Sequence, residues 1–443
     1  MHETGPAGGT EAGFELVSRR LGGLPLVDHF WCRAGLPRLL ARYLPAADAR
    51  VRLAPAAAIR LVVTNLLIGR APLYGLGEWV ARFDPGPLGL PADPAVPIDT
   101  LVNDDRVGRA LEALFDADRA SLLTELMLGV VAEFGIAVDE LHNDSTSVSV
   151  SGVYRSATGT PRGGKPTPVI TFGHSKDHRP DLKQLVWILT VSADGAVPIA
   201  YRLADGNTTD DPTHVPTWDQ LVGLLGRADF LYVADSKLCS REAMGHIHGG
   251  GGRFVTVLPR SRAEDRWFRD WVQTHRPAWT EALRVAPARL GDPDQVYSTV
   301  PAPLPSAEGY RIVWVHSTAK AARDAAARQG RIEAGAAAID ALATRLAGPK
   351  CRLKTAVAVE EEAAAVLARA GADRWIGYTV AQTVTETFRQ ERRGRPGADT
   401  RYRRHTTTRH TISSDTRLDV LAYDAATDGC FPLITNDTTL TDA

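Results

Sequence analysis

Two acidic residues, Asp144 and Asp235, stand where predicted strands end, and they are the first candidates for chemistry. Asp144 follows an apolar approach that ends in Leu141, and Ser and Val then alternate up to Val153, a pattern that predicts a strand running into a hairpin. Asp235 follows the apolar run 230–234, which is typical of a strand buried on both faces. Two strands that each deliver one carboxylate predict a metal-dependent phosphoryl-transfer site. A turn residue or a helix N-cap is the alternative for either aspartate.

A basic tract follows the first aspartate along the chain. Residues 174–184 contain five side chains that can carry positive charge. The first eight residues of this tract form no apolar face. Such charge density predicts contacts to DNA phosphate, and Lys176, Arg179 and Lys183 are the candidate cations. The alternative is a turn in which the two aspartates of the tract pair with these same cations.

A second basic tract lies near the C-terminal end of the sequence. Residues 389–409 contain eight arginines in 21 positions, which predicts phosphate binding for Arg393, Arg395, Arg403 and Arg404. Arg393 and Arg395 belong to an Arg-Gly-Arg-Pro-Gly pentapeptide that is similar to the core of an AT-hook, a segment that lays arginine along a narrow minor groove. A basic hairpin loop between two strands is favoured over a hook.

The composition limits the class of protein. The chain has 443 residues, 44% of them hydrophobic and 23% charged, which indicates a globular protein of two or three domains. Its net charge of −1 gives no overall basic character, so nucleic-acid binding must use local patches. The four cysteines are scattered without a CxxC pair, which argues against a zinc ribbon and favours a reducing cytoplasm. We find no signal peptide and no apolar run long enough to span a membrane, so we expect no membrane partner.

The elements that must position these residues fall into segments. Residues 1–13 are predicted to be a disordered lead and residues 14–134 a helical N-terminal domain, with either DNA-end binding or helix packing as its role. Residues 135–260 follow as three strands with hairpin links, a helix, a strand, a helix and a strand. Asp144 and Asp235 lie on the first and fourth of these strands, which is the element order and acid placement of an RNase H-like core.

The remaining segments complete the predicted fold. Residues 261–428 contain further predicted helices and short strands, and residues 429–443 contain one more strand. The family resemblance given below implies that the first segment is an insertion domain and that the strand is the last core strand. The predicted fold class is therefore α+β or α/β, with a helical N-terminal domain followed by an RNase H-like mixed sheet that a large α/β insertion interrupts.

Four short runs together resemble the DDE transposases of bacterial insertion sequences, in the insertion-sequence-four-like superfamily. They are Asp-Ser-Thr-Ser at 144–147, Thr-Phe-Gly-His-Ser-Lys-Asp-His-Arg-Pro-Asp-Leu-Lys-Gln at 171–184, Gly-Asn-Thr-Thr-Asp at 206–210 and Val-Ala-Asp-Ser at 233–236. The second run is long and unusual in composition. The resemblance covers roughly residues 20 to 440.

The resemblance implies an activity and a set of partners. It implies metal-dependent DNA cleavage and strand transfer, in which two Mg²⁺ ions clamp the attacking and leaving oxygens. Asp144 would bridge the two ions and Asp235 would hold one, so we expect their carboxylates to lie within reach of a shared ion. The implied partners are the DNA of the element ends and the target DNA, with a homodimer on paired ends. The implied location is the bacterial cytoplasm, in association with the nucleoid.

The resemblance also implies a third catalytic acid, usually a glutamate on a late helix. Glu360, Glu361 and Glu362 precede the last core strand, and we interpret them as a solvated first turn of a helix. We therefore assign no third acid and expect the chain to be truncated before it. Three functions stay open: an active transposase completed from elsewhere, a catalytically inactive DNA-binding remnant of one, and an RNase H-like nuclease without strand transfer.

Overall fold

The computed structural model describes residues 18–45, 51–90, 97–209, 211–287, 289 and 291–441, and the predicted lead over residues 1–13 lies outside them. The chain divides into two compact units, Met1–Phe230 and Leu231–Ala443, and each is described by itself. Among the described residues no single helix is long and apolar enough to cross a membrane. One bent pair, Pro55–Ile68 with Leu73–Val80, meets the criteria of length and composition.

The first unit begins with helices that surround one apolar core. They are α1 (Leu24–Arg33), α2 (Leu36–Tyr43), α3 (Pro55–Ile68), α4 (Leu76–Val80), α5 (Ile98–Leu101), α6 (Asp104–Asp116) and α7 (Arg119–Phe134). Helix α3 starts at a proline, whose missing N–H costs nothing in the first turn. It buries Leu61 completely in a core shared with Leu39, Leu76 and Val107.

Three antiparallel strands follow in the first unit. They are β1 (Glu140–Val150), β2 (Lys183–Ser192) and β3 (Pro198–Ala204), in the order β3-β2-β1. The Asp-Gly turn predicted between the second and third strands is present, with Gly195 at φ 72°. The rings of Trp187 and Tyr201 stack across the β2–β3 pair with centroids 4.9 Å apart. Helix α8 (His214–Leu225) comes next.

The second unit opens with β4 (Leu231–Ala234), α9 (Arg241–Gly249) and β5 (Arg253–Val257), and β4 and β5 pair in parallel. It continues with α10 (Ala263–Val272), β6 (Thr280–Val285), β7 (Gln295–Pro301) and β8 (Arg311–Ser317). The sheet runs in the order β4-β5-β11-β8-β7-β6, in which β11 (Cys430–Thr435) is antiparallel to both of its neighbours. The strand predicted near the end of the sequence is thus present beside β5.

A helical and β-hairpin segment separates β8 from β11. It contains α11 (Thr318–Ala347), α12 (Ala356–Ala370), β9 (Ile376–Gln390), β10 (Tyr402–Thr416) and α13 (Leu418–Ala425). The two long strands form a separate two-stranded sheet, which we call the β-ribbon. Its base packs on the apolar faces of α11 and α12 through Ile376 and Ile412.

The three glutamates at 360–362 do not form the first turn of a helix as predicted. Helix α12 begins four residues earlier, because the hydroxyl of Thr355 accepts a hydrogen bond from the backbone N–H of Ala358 at 3.3 Å and caps it there. Glu362 is half-buried and pairs with Arg345 at 3.0 Å.

The predicted fold class is confirmed. A helical region precedes a mixed α/β region, and the elements between residues 140 and 257 follow the predicted order of three strands, a helix, a strand, a helix and a strand. The predicted domain boundaries after residues 134, 260 and 428 stay predictions.

Candidate functional site

Asp144 lies within β1 rather than at its end. It is the fifth of eleven residues, and the strand continues because its side chains alternate between a solvent face and a buried face up to Ser147. The Asp144 carboxyl is on the solvent face and is 81% exposed. The backbone N–H of Ser145 donates a hydrogen bond to its Oδ1 at 2.7 Å, which orients the carboxylate.

The buried face of β1 is polar beyond Leu141, and each buried polar group is paired. Asn143 donates through Nδ2 to the hydroxyl of Thr190 at 2.9 Å. Ser147 accepts a hydrogen bond through Oγ from the backbone N–H of Lys176 at 3.1 Å. Buried polar groups are costly unless they are paired, so β1 depends on the basic tract for its stability.

Lys176 joins the basic tract to Asp144. Its ammonium donates to the backbone oxygen of Ser145 and, at 2.9 Å, to the Ser145 hydroxyl. The same ammonium lies 3.8 Å from Asp144 Oδ1. The first aspartate and the basic tract, which the sequence presents some thirty residues apart, therefore meet on one strand.

The other two predicted cations of the tract have protein partners. Arg179 forms a two-pronged ion pair with Asp181, with N···O distances of 2.8 and 2.7 Å, and these hydrogen bonds lower the pKa of the Asp181 carboxyl. Lys183 donates to the backbone oxygen of Val153 at 2.6 Å. For Arg179 the turn alternative is thus realised. The role of all three cations in DNA binding stays a prediction.

Gly173 and Gly206, which belong to two of the runs that carry the family resemblance, pack closely against the backbone of neighbouring residues. A Cβ on Gly173 would stand 1.9 Å from the backbone oxygen of Gly206, and a Cβ on Gly206 would stand 2.0 Å from that of Gln184. The side-chain amide of Gln184, which is buried, donates to the Gly206 oxygen at 2.7 Å. These contacts give a physical reason for glycine at both positions. Asp210, the last residue of its run, lies outside the described residues.

We expect Gly206→Ala to lower the free energy of unfolding of the first unit by about 3 kcal/mol, because a methyl group has no room beside two backbone oxygens. Gly223→Ala is the matched control, since a Cβ there meets no atom within 4 Å. In the middle of α8 alanine should instead stabilise by about 0.5–1 kcal/mol. Urea unfolding of both variants measures this contrast. Equal stability of the two would contradict the tight packing of the glycines.

Asp235 stands directly after β4, as predicted, and it is exposed. Its Oδ1 accepts a hydrogen bond from the backbone N–H of Lys237 at 3.1 Å, so it also caps the short 3₁₀ helix Ser236–Leu238. Thr256 Oγ1 donates to its backbone oxygen and ties it to β5. Both the strand-end interpretation and the cap alternative therefore hold for this residue.

The donor chemistry of the two aspartates suits Mg²⁺, which prefers carboxylate oxygens and water. Among the described residues no group of three or more His, Cys, Asp or Glu side chains is arranged to hold a metal ion. Each aspartate lies in its own unit, and the expectation that Asp144 and Asp235 share an ion stays a prediction.

The β-ribbon has two different faces, which its pairing register defines. On one face Arg403 lies opposite Arg389, and His405 and Arg409 lie opposite threonines. The four cross-strand pairs of this face, from Thr383–Arg409 to Arg389–Arg403, therefore carry only arginine, histidine and threonine side chains and no acidic one. We call this the basic face. Like charges directly opposite each other destabilise a ribbon, so the Arg389–Arg403 position suits a bound anion.

The opposite face of the β-ribbon is mixed. Arg404 lies on it and pairs with Glu386 at 3.5 Å, beside the exposed side chains of Phe388 and Val384. Arg403 and Arg404, both predicted to bind DNA, thus point to opposite faces. The sequence could have separated them, because side chains alternate along a strand.

Arg393 and Arg395 lie in the exposed loop that connects the strands of the β-ribbon. The loop is closed by backbone bonding from Glu391 N–H to Arg401 O at 3.0 Å. The structure therefore has the basic hairpin loop that was favoured over an AT-hook. Phosphate contact by these arginines stays a prediction.

Sequence reasoning missed a charged cluster in the second unit. Arg262 donates to Glu264 at 2.8 Å and to Glu308 at 2.7 Å, and all three side chains are largely buried. The hydrogen bond from Arg262 is the main reason why the pKa of Glu264 falls to about 2, although burial raises it. The pKa of Glu308 is lowered by the same guanidinium. Arg262 and Glu308 are 46 positions apart, so no local signal announces the cluster.

Comparison with known proteins gives structural similarity but no sequence match. No family model matches the sequence, and no curated protein matches it. Among solved structures, the chain is similar to the transposase in a cryo-EM structure described as a piggyBac transposase synaptic complex with hairpin DNA, with a TM-score of 0.28 and 9% sequence identity. The similarity covers 68% of this chain, and the chain spans 61% of the length of that transposase.

Proposed function

We propose that this protein is a transposase of a bacterial insertion sequence, which cuts DNA and joins the freed 3′ end to a target by metal-dependent phosphoryl transfer. One observation carries the proposal. The basic tract folds back onto β1 and holds the Lys176 ammonium 3.8 Å from the exposed carboxylate of Asp144. Two of the runs that carry the sequence resemblance, 144–147 and 171–184, are therefore in contact in the fold.

The two aspartates and Lys176 would have different roles in the reaction. Asp144 and Asp235 would hold Mg²⁺ through carboxylate oxygens, and the bound ions would neutralise charge on the phosphate and activate the attacking oxygen. Lys176 holds β1 and the basic tract together and keeps a positive charge beside Asp144, where a DNA phosphate would arrive. Positioning and charge neutralisation supply most of the catalysis in phosphoryl transfer, so this arrangement suits the reaction.

The proposed partner is DNA, both the ends of the element and the target, with a homodimer on the paired ends. The basic face of the β-ribbon supports this partner, because a two-stranded ribbon fits the major groove of B-DNA and its strands of 15 residues reach about 50 Å. The same ribbon also favours a second candidate function, DNA binding without catalysis by a remnant of such a transposase.

The test uses end-labelled duplexes that contain the DNA flanking the coding sequence on each side. With Mg²⁺ or Mn²⁺ we expect cleavage at one defined position, a 3′-hydroxyl product and joined products with a second duplex. Removal of the metal with EDTA should abolish cleavage and leave DNA binding intact. Binding without any cleavage would replace the proposal by the inactive remnant. Cleavage without joining would replace it by an RNase H-like nuclease.

The β-ribbon gives a separate prediction about DNA affinity. Arg403→Gln should make the negative slope of log K against log salt less steep by about 1, because one phosphate contact is lost. Arg404→Gln removes the same charge one residue away on the opposite face, where Glu386 already neutralises it, and should change the slope much less. Fluorescence anisotropy of a labelled duplex between about 50 and 200 mM salt measures both slopes. Equal slopes for both variants would refute binding by the basic face.

A further inference from the structure

A cavity of about 520 Å³ in the second unit is rich in arginine. Among the described residues six arginines and four aspartates line it, contributed by α10, α11, α13 and the chain next to them. We call it the arginine cavity. It is not part of the candidate site described above, and its lining belongs to none of the runs that resemble a known family.

Three of the six arginines form ion pairs with aspartates of the same lining. Each makes a two-pronged ion pair that fixes both side chains. The pairs are Arg269 with Asp265 at 2.7 and 3.2 Å, Arg328 with Asp428 at 2.6 and 2.5 Å, and Arg374 with Asp424 at 2.7 and 2.8 Å. The fourth aspartate, Asp324, pairs with Lys320 at 2.6 Å. The negative charge of the lining is thus already neutralised.

The other three arginines carry the excess charge. Among the described residues, Arg260, Arg266 and Arg331 take part in no ion pair and no side-chain hydrogen bond, and all three are exposed where they border the cavity. All three border the same cavity, and like charges around one cavity repel each other unless an anion lies between them. The neighbouring ion pairs keep the wall rigid. The charge of Arg260 acts on the Asp324 carboxyl and helps to lower its pKa, but that carboxyl is already bonded to Lys320 and to the backbone N–H of Gly429.

We propose that the arginine cavity is a binding site for two or more adjacent phosphate groups. The planar guanidinium fork matches the oxygens of phosphate in a way that no other side chain does. Three cations call for more than the single charge of one phosphodiester, and the volume lies in the range of small-ligand sites. The phosphates come either from a DNA strand or from a nucleoside polyphosphate. The site does not depend on the cleavage activity proposed above, and it is independent of Asp144.

The experiment compares two probes on the full chain. One is a fluorescent six-nucleotide oligothymidylate, followed by anisotropy, and the other is ATP without added metal, followed by calorimetry. The test variant combines Arg260→Gln, Arg266→Gln and Arg331→Gln. The control is Arg323→Gln, which removes one exposed charge from α11 outside the cavity lining. Circular dichroism verifies that both variants fold.

We expect the triple variant to lose about tenfold or more in affinity, because it loses several charge-assisted hydrogen bonds, and the control to bind like the original protein. Loss for the oligonucleotide alone assigns the site to DNA, and loss for ATP alone assigns it to a nucleotide. If neither probe binds the original protein at low salt, or if the folded triple variant binds both with unchanged affinity, the proposal is wrong. These measurements record binding and not cleavage. Failure of the cleavage activity proposed above would therefore leave the result for the arginine cavity unchanged.

Discussion

Asp144→Asn is expected to lower the rate of DNA cleavage by about 10³-fold. The substitution keeps the shape of the side chain, and its oxygen can still accept the hydrogen bond from the backbone of Ser145. It removes the negative charge that would hold Mg²⁺ at the reacting phosphate. Because the carboxyl is 81% exposed, loss of its ion pair with Lys176 should cost less than about 1 kcal/mol of stability.

The matched control is Asp139→Asn. Asp139 is 72% exposed in the same unit and pairs with Arg227, so it loses the same charge in a similar setting. Single-turnover cleavage with Mg²⁺ should be unchanged in this control, and urea unfolding should show both variants folded. Asp235→Asn should match the loss seen for Asp144→Asn. A normal rate in Asp144→Asn would remove this residue from the site, and a normal rate in Asp235→Asn would rule out the shared ion.

The largest expected effect on stability comes from Arg262→Met. The side chains of Arg262, Glu264 and Glu308 are only 21%, 17% and 11% exposed. Removing the shared guanidinium leaves two largely buried carboxylates without their partner, which should lower the free energy of unfolding of the second unit by about 3–5 kcal/mol. Arg241→Met is the control, because Arg241 lies 3.7 Å from the same Glu308 but is 83% exposed. It should change stability by less than about 1 kcal/mol.

The pH dependence separates loss of the ion pairs from loss of packing. The pKa of Glu264 is about 2 in the folded protein, against 4.5 for an ordinary glutamate. A depressed pKa contributes stability at neutral pH, and this contribution is lost as the pH falls from about 5 toward 2. The gap between Arg262→Met and the original protein should therefore narrow over this window. Urea unfolding at neutral and at acid pH measures the gap, and a gap that stays constant would mean that packing alone explains the loss.

Local patterns in the sequence predicted much of the fold. The alternation after Leu141 and the apolar run before Asp235 predicted β1 and β4, whereas the strand near residue 430 was predicted from the family resemblance. The start of α12 was misplaced by one turn, because Thr355 was not recognised as its cap. Such caps are visible in a sequence, so this miss was avoidable.

The other misses involve residues far apart in the chain. Ser145 and Ser147 are buried because Lys176 binds the strand there, and a serine next to an aspartate does not reveal a partner thirty positions away. The contact between Gly173 and Gly206 and the pairing of Arg262 with Glu308 have the same character. Periodicity reports on one element at a time, whereas these contacts depend on how elements meet.

The β-ribbon has a consequence for the handling of this protein. A sheet of two strands consists only of edges, and each edge offers unpaired backbone groups to another chain. Exposed apolar side chains at Val384 and Phe388 add to that risk. The arginines along the strands oppose it, because two ribbons that approach each other repel. Salt screens this repulsion over distances of about 10 Å or less, so concentrated salt should remove the protection of the β-ribbon against self-association.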